Sequence, residues 1–353
     1  GEKYATETRS EYWKMARAAM GAGVIIALLS LFKAYISGWH LPPFWEAVFF
    51  SLNYGIGFVI IHLLGFTIAT KQPAMTAARI ASAVDAANGR LSSADRVAEL
   101  IAQVARTQFV SIWGNVLPAF ATATLVAVGL TLLLGEPPIE LEKGEKMLLE
   151  LNPLLSAALP HAAIAGVFLF LAGVIAGYYD NLSIYHRVPD RIRKVSWLRK
   201  RLGVVRANRL ADYLSKNTGA LAGNFFFGCM LGSAGFVGLI LGLPIDIRHI
   251  TFSAANMAYG IQAHEFMLGW FDIAVAALGV FLIGMVNLAV SFSFAFFTAL
   301  RARGVRRLDS LSLAGRVAKR FWATPGEFFY PPKDSVQEDR PEAASPPAKA
   351  EAK

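Results

Sequence analysis

Six apolar stretches recur along the chain, each about 20 residues or longer, with polar residues collected between them. A helix rises about 1.5 Å per residue, so each stretch is long enough to cross a hydrocarbon layer. The pattern predicts spans over 15–36, 45–69, 110–134, about 158–177, 219–241 and 273–300. Lys33 sits near one end of the first and is placed to snorkel. Trp13, Trp45, Trp113, Trp270 and the pair Tyr178–Tyr179 lie near expected ends, where interfacial aromatics belong. The expected fold is all-α, a polytopic bundle of six transmembrane helices with amphipathic helices in its basic connections.

The connections differ in charge. Residues 37–43 hold no Lys or Arg, whereas 70–109 hold Lys71, Arg79, Arg90, Arg96 and Arg106. Residues 135–160 hold only Lys143 and Lys146, but 178–216 hold ten basic residues. Residues 242–272 hold only Arg248, and the sixth span is followed by Arg301, Arg303, Arg306 and Arg307. Basic residues concentrate on the cytoplasmic side of membrane proteins. The alternation therefore predicts a multi-pass protein of a bacterial inner membrane, with both termini cytoplasmic. The expected division is a cytoplasmic stretch over 1–14, the membrane domain over 15–300 and a basic, then disordered, cytoplasmic tail over 301–353.

The basic connections carry helical patterns. Pro73 starts one helix that stops near Asn88–Gly89, and Ser92-x-x-Asp95 reads as a capping box for the next. Val97, Leu100, Ile101 and Val104 then give that helix an apolar face. In the second basic connection, Gly203 separates a basic piece carrying Trp197 and Leu198 from a short helix carrying Leu210, Tyr213 and Leu214. Such basic amphipathic pieces lie on membrane surfaces. Residues 250–261 are apolar but too short to span, which suggests a re-entrant or interfacial segment. Composition changes little in this picture. The chain is 55% hydrophobic, too apolar for an ordinary soluble domain. Its net charge of +9 fits anionic lipid, and also DNA. One cysteine, Cys229, forms no internal disulfide or metal cluster, so no metal and no cofactor are expected. The chain begins at Gly1 without Met, and a missing N-terminal region is expected as a partner of the bundle.

Polar groups at bilayer depth are costly, so their positions carry information. Ser111, Asn115, Pro118 and Thr122 share one helical face. Gly284, Asn287, Ser291 and Thr298 share another, and Asn224 lies beside Gly228, Gly232 and Gly235. Asp180 continues the stripe Gly166, Gly173, Gly177, and His62 sits mid-span opposite Asn53. Two readings stay open. These stripes are helix-packing seams, or Asn115, Asn224, Asn287 and Ser291, with His62 and Asp180, line a polar ligand cavity. Of the three asparagines, Asn224 is expected to tolerate Leu worst, because Leu there crowds the glycine stripe. A homo-oligomer fits the same small-residue seams. Phosphate-loop, dinucleotide, zinc-protease and nucleophile-elbow motifs do not occur.

Several blocks together resemble a known family. They are Asn53-Tyr-Gly-Ile-Gly-Phe with Ala69-Thr-Lys-Gln-Pro-Ala-Met-Thr, Gly114-Asn-Val-Leu-Pro, and Gly177-Tyr-Tyr-Asp-Asn with Arg187 and Pro189. Gly219-Ala-Leu-Ala-Gly-Asn-Phe-Phe-Phe-Gly, Gly242-Leu-Pro-Ile-Asp-Ile-Arg-His with Ala254-Ala-Asn, and Val286-Asn-Leu-Ala-Val-Ser-Phe follow. Over about 13–307 the chain resembles the bacterial transmembrane site-specific recombinase family, the Gcr-like proteins. Its members are usually longer at the N-terminus. The resemblance implies DNA recombination and supplies no established active site. A tyrosine recombinase needs a nucleophilic Tyr beside cationic groups that stabilise the phosphate. Tyr185, His186, Arg187 and Arg191 are the compact candidates. Arg191, Arg193, Lys194, Arg199, Lys200 and Arg201 are the expected contacts for anionic lipid or nucleic acid. The residues themselves favour a non-catalytic bundle that binds or moves a ligand, or scaffolds partners at the membrane. The alternative is an enzyme of DNA recombination.

Overall fold

The computed structural model describes residues 8–68, 77, 80–81, 91–303 and 310–331. Among these residues the chain is all-helical. The first four helices are α1 (Arg9–Ser37), α2 (Pro43–Leu63), α3 (Leu91–Leu134) and α4 (Leu141–Leu149). After α5 (Ala158–Tyr185) come two short helices, α6 (Val188–Arg193) and α7 (Ser196–Leu202). The last four are α8 (Val204–Leu241), α9 (Ile250–Ala263), α10 (Trp270–Ala302) and α11 (Ser310–Ala323). Six of these, α1, α2, α3, α5, α8 and α10, are long and apolar enough to cross a membrane. Large apolar side chains such as Leu28, Phe32, Leu125, Leu132, Phe281 and Phe297 are exposed on them. That is the surface a bundle presents to lipid rather than to water.

Local chemistry sets the ends. Thr8 and Glu11 form a capping box that starts α1. Proline opens α2, where its missing N–H removes no helical bond. The span 45–69 is shorter than its hydropathy suggests. Phe66 N–H reaches back to the Ile61 carbonyl, and Gly65 adopts φ +74°, so α2 stops at Leu63.

The basic connections also differ from the pattern. Leu91 starts a single helix of 44 residues, so the apolar face at Val97–Val104 runs unbroken into the third span. Ser92 is itself a helical residue. Ile80, Ala81, Val97, Leu100 and Val104 pack together with Leu300. The helix expected from Pro73 falls largely outside the described residues. Gly203, at φ +78°, does separate two pieces, but Leu210, Tyr213 and Leu214 belong to α8, which continues as the fifth span. The amphipathic α11 and a short 3-10 turn (Pro325–Phe328) fold back, so that Tyr12 Oη donates to the Phe329 carbonyl and Phe109 packs on Phe329. The stretch after Pro331 lies outside the described residues.

Glycine seams hold the spans together. A Cβ at Gly228 or Gly232 would strike the backbone of α2 around Gly55 and Ser51. A Cβ at Gly219 or Gly223 would strike α5 around Ala176 and Ala172. So α8 meets α2 along one stripe and α5 along another, as small-residue seams allow.

The unusual element is α9. It has 14 residues, and all but Asn256 are buried. Gln262 Nε2 donates to Thr131 Oγ1 (2.8 Å), whereas Thr251 Oγ1 reaches Asn115 Oδ1 (3.5 Å). Asn115 and Thr131 lie on α3, roughly 24 Å apart along its axis. Thus α9 runs beside α3 with its first turn deep in the bundle. Its two connections, from α8 and to α10, lie at the same end. We call that end, which also carries the α1–α2 and α3–α5 connections, the far end. The opposite end is the basic end.

Candidate functional site

The chain dips into the bundle between Leu243 and His249 before α9 returns. One asparagine holds this dip, and a second ties the helices around it. Asn287 Oδ1 accepts from Ile250 N–H (3.0 Å), while its Nδ2 donates to the carbonyls of Ala162 (2.8 Å) and Arg248 (2.9 Å). Asn115 Nδ2 lies within bonding distance of the carbonyls of Ala19 (3.1 Å), Thr67 (3.0 Å) and Ser111 (3.1 Å). Both side chains are fully buried, and each joins elements far apart in sequence.

The dip places Arg248 under the far end. Its guanidinium pairs with Asp246 (2.6 Å) and Glu150 (3.0 Å) and also donates to the Ile247 carbonyl (2.6 Å). Burial pushes the Asp246 carboxyl up, but Arg248 and then Lys33 outweigh it and hold it below the usual carboxylate range. His161 Nε2 lies 2.9 Å from the Pro244 carbonyl and fixes the start of the dip.

Above this cluster lies a cavity of about 510 Å³, walled by α1, α2, α4, α8, α9 and the dip. Lys33 lines it. Its ammonium does not snorkel outward. It lies over the rings of Phe50 (5.0 Å) and Tyr54 (5.9 Å). Among the described residues no carboxylate lies within ion-pair distance of it. Lys143 reaches across from α4 and donates to the Ala34 carbonyl (2.7 Å). Burial pushes its ammonium below the usual lysine range, and the charge of Lys33 acts in the same direction. Phe236 and Leu239 supply apolar wall. Gly235 also lines the cavity, and a Cβ there meets nothing within 4 Å.

The residues singled out from the sequence are dispersed. None of Asn115, Asn224 and Asn287 lines this cavity. Asn287 serves the dip, Asn115 joins α3 to α1 and to the Thr67 carbonyl, and Asn224 Nδ2 donates to Ala220 within its own helix. Ser291 Oγ donates to the Asn287 carbonyl (2.7 Å). His62 Nε2 meets Asn217 Oδ1 (3.1 Å), and Asp180 accepts from Gly219 N–H (2.8 Å), each joining α8 to a neighbour nearer the basic end. Tyr185, His186, Arg187 and Arg191 are all exposed at that end, Tyr185 to 82%. Tyr185 stacks edge-on against His186, and among the described residues nothing hydrogen-bonds its hydroxyl. Arg193 pairs with Asp190 (2.8 Å) and Asp212 (2.5 Å), while Lys194, Arg199, Lys200 and Arg201 face outward.

A family model described as Site-specific recombinase matches residues 1–331. The chain belongs to that family. No curated protein and no solved structure matches it. The sequence blocks that carry the resemblance fall on the features just described. Gly114–Pro118 carries Asn115, Val286–Phe292 carries Asn287, and Gly242–His249 is the dip with Asp246 and Arg248.

Reading the sequence missed Lys33, Lys143, Glu150, Asp246 and Arg248 as one group. A signal was present. The far-end connections are nearly free of basic residues, so Lys143, Lys146 and Arg248 are exceptions to the charge rule. An exception to a strong bias calls for a local partner.

Proposed function

We propose that this member of the family is an integral membrane protein that binds a ligand in the far-end cavity without catalysis. The observation that carries the reading is Lys33. A cation in a membrane-spanning helix is costly unless something compensates it. This one faces a ligand-sized cavity, and among the described residues no carboxylate lies within ion-pair distance of it. The basic end, following the charge rule, faces the cytoplasm of a bacterial cell. Arg191, Lys194, Arg199, Lys200 and Arg201 then meet the anionic headgroups of the inner leaflet. The far end and its cavity face outward.

The test uses Gly235. In a Cys229→Ser background, Gly235→Cys should react with a water-soluble thiol reagent applied from outside the cell. Gly235→Trp should fill the cavity and leave the fold intact. Protein in native-membrane nanodiscs should release a small molecule on extraction that the Trp variant lacks. An unreactive Gly235→Cys, with identical extracts from the two proteins, would overturn the reading.

The family description favours a second reading, DNA recombination at the basic end. Tyr185 would be its nucleophile. Its exposure, without a base on its hydroxyl among the described residues, gives that chemistry little support.

A further inference from the structure

We propose that the cavity takes an amphipathic organic anion, its acidic head between Lys33 and Lys143 and its apolar body along Phe50, Phe236 and Leu239. The inference rests on the binding reading above and names the class of ligand.

The wall is divided by chemistry. Four basic side chains line it, Lys33, Lys143, Lys146 and Arg248, against three carboxylates, Glu46, Glu150 and Asp246. Two of the carboxylates are committed to Arg248. The excess of positive charge therefore falls on the α1–α4 side. Lys33 comes from α1 and Lys143 from α4, both line the cavity, and the charge of Lys33 is felt at Lys143. An acidic group between them would turn that repulsion into two charge-assisted hydrogen bonds. A cation there would meet two ammonium groups and lose its hydration without compensation. Helices α2 and α8 add the apolar side chains Phe50, Phe236 and Leu239 beside Glu46. A bare inorganic anion would leave that apolar part unfilled. An acid with an apolar body fills both, as small-molecule sites with few placed polar groups do.

An acidic head on an apolar body describes both an anionic lipid and a soluble organic acid. The experiment separates them. The full chain, as Gly235→Cys in the Cys229→Ser background, is placed in phosphatidylcholine nanodiscs. The rate of thiol labelling is followed with octyl phosphate, with octyltrimethylammonium, or with phosphatidylglycerol built into the disc. Octyl phosphate should protect the thiol saturably, and Lys33→Gln should weaken that protection at least about tenfold, the loss of one charge-assisted bond. Protection by phosphatidylglycerol with none by octyl phosphate, still lost in Lys33→Gln, would assign the source as lipid. Protection by octyltrimethylammonium, or anion protection indifferent to Lys33→Gln, would overturn the anion while leaving a ligand site. Should no probe protect a reactive thiol, with wild type and Gly235→Trp giving the same extracts, both readings fall.

Discussion

The side-chain carbonyl of Asn287 accepts the backbone N–H of Ile250, the first residue of the buried helix α9. The same amide donates to the carbonyls of Arg248 and Ala162. One side chain on α10 therefore fixes where the chain turns inside the bundle, and joins the turn to α5. An unsatisfied backbone group away from water costs roughly 1–3 kcal/mol, and water is scarce at this depth.

Asn287→Leu should lower stability in nanodiscs by about 2–3 kcal/mol, because it strands three backbone groups. Asn115→Leu should be comparably harmful, since Asn115 lies against three carbonyls. Asn224→Leu should be the mildest of the three. This ranking differs from the one expected from the glycine stripe, because Asn287 and Asn115 each hold backbone groups of other elements. Thermal unfolding of the three variants checks the order. An Asn224 variant melting below the Asn287 variant would defeat it.

Gly228 and Gly235 lie on one helix and should respond in opposite ways. A side chain at Gly228 meets the α2 backbone, which cannot give. Gly228→Leu should therefore destabilise by about 3 kcal/mol through overpacking. Gly235 opens on the cavity. Gly235→Ala should shift stability by no more than about 1 kcal/mol, upward, because Ala is the better helix former. Equal losses at the two positions would mean that the α2–α8 seam is not where the structure places it.

Much of the fold was legible in the sequence because bilayer spans obey a strong rule of length and apolarity. The odd character of 250–261 was legible too, since so short and mostly apolar a stretch cannot cross and yet belongs inside. Helix continuity was not. Ser92 and Asp95 offered a local cap, but the apolar face from Val97 onward packs on Ile80, Ala81 and Leu300 and carries the helix through. The cavity was least visible. Lys33, Lys143, Asp246 and Arg248 come from three separate parts of the chain, and only the dip held by Asn287 brings them under one roof. Pairwise spacing along a helix carries no trace of such a meeting.

Acid should loosen the far end. The folded carboxyl of Asp246 sits below its ordinary 3.8. A carboxylate depressed in the fold contributes stability above its unfolded value, and that contribution is lost as pH falls through the folded value. Stability should therefore drop below about pH 4. Asp246→Asn should flatten that limb. Lys143 works the other way for the anion. Its ammonium is depressed below 10.5, so once octyl phosphate is fully ionised, above about pH 8, its protection should fade as pH rises, before an ordinary lysine would titrate. Protection that strengthens with pH in that alkaline range would contradict the placement of the acidic head.

Topology can be read with single cysteines at exposed positions. Leu154 is 90% accessible at the far end, and Arg201 is exposed at the basic end. In intact cells lacking Cys229, Leu154→Cys should react with an impermeant reagent and Arg201→Cys should not. Gln262 is a poor probe despite lying near the far end, because it is buried against Thr131. The reverse labelling would invert the whole assignment, and the cavity would then open to the cytoplasm.

The last prediction separates a binding bundle from a recombinase. Strand exchange breaks a phosphodiester bond, and a tyrosine nucleophile leaves its enzyme joined covalently to DNA. Such a tyrosine needs a group to take its proton and cations to hold the phosphate. Tyr185 has His186 beside it, but the rings meet edge-on and the hydroxyl faces open solvent. Arg193, the cation best fixed nearby, is engaged by Asp190 and Asp212. The basic end should therefore bind duplex DNA weakly, without sequence preference, and with affinity that falls steeply as salt rises. It should bind phosphatidylglycerol vesicles through the same residues. Incubation with nicked or intact duplexes, followed by denaturing electrophoresis, should show no protein–DNA adduct, and Tyr185→Phe should match wild type in DNA and lipid binding. An adduct that disappears in Tyr185→Phe would make the family description literal for this chain and place its chemistry at the end of the bundle opposite the cavity.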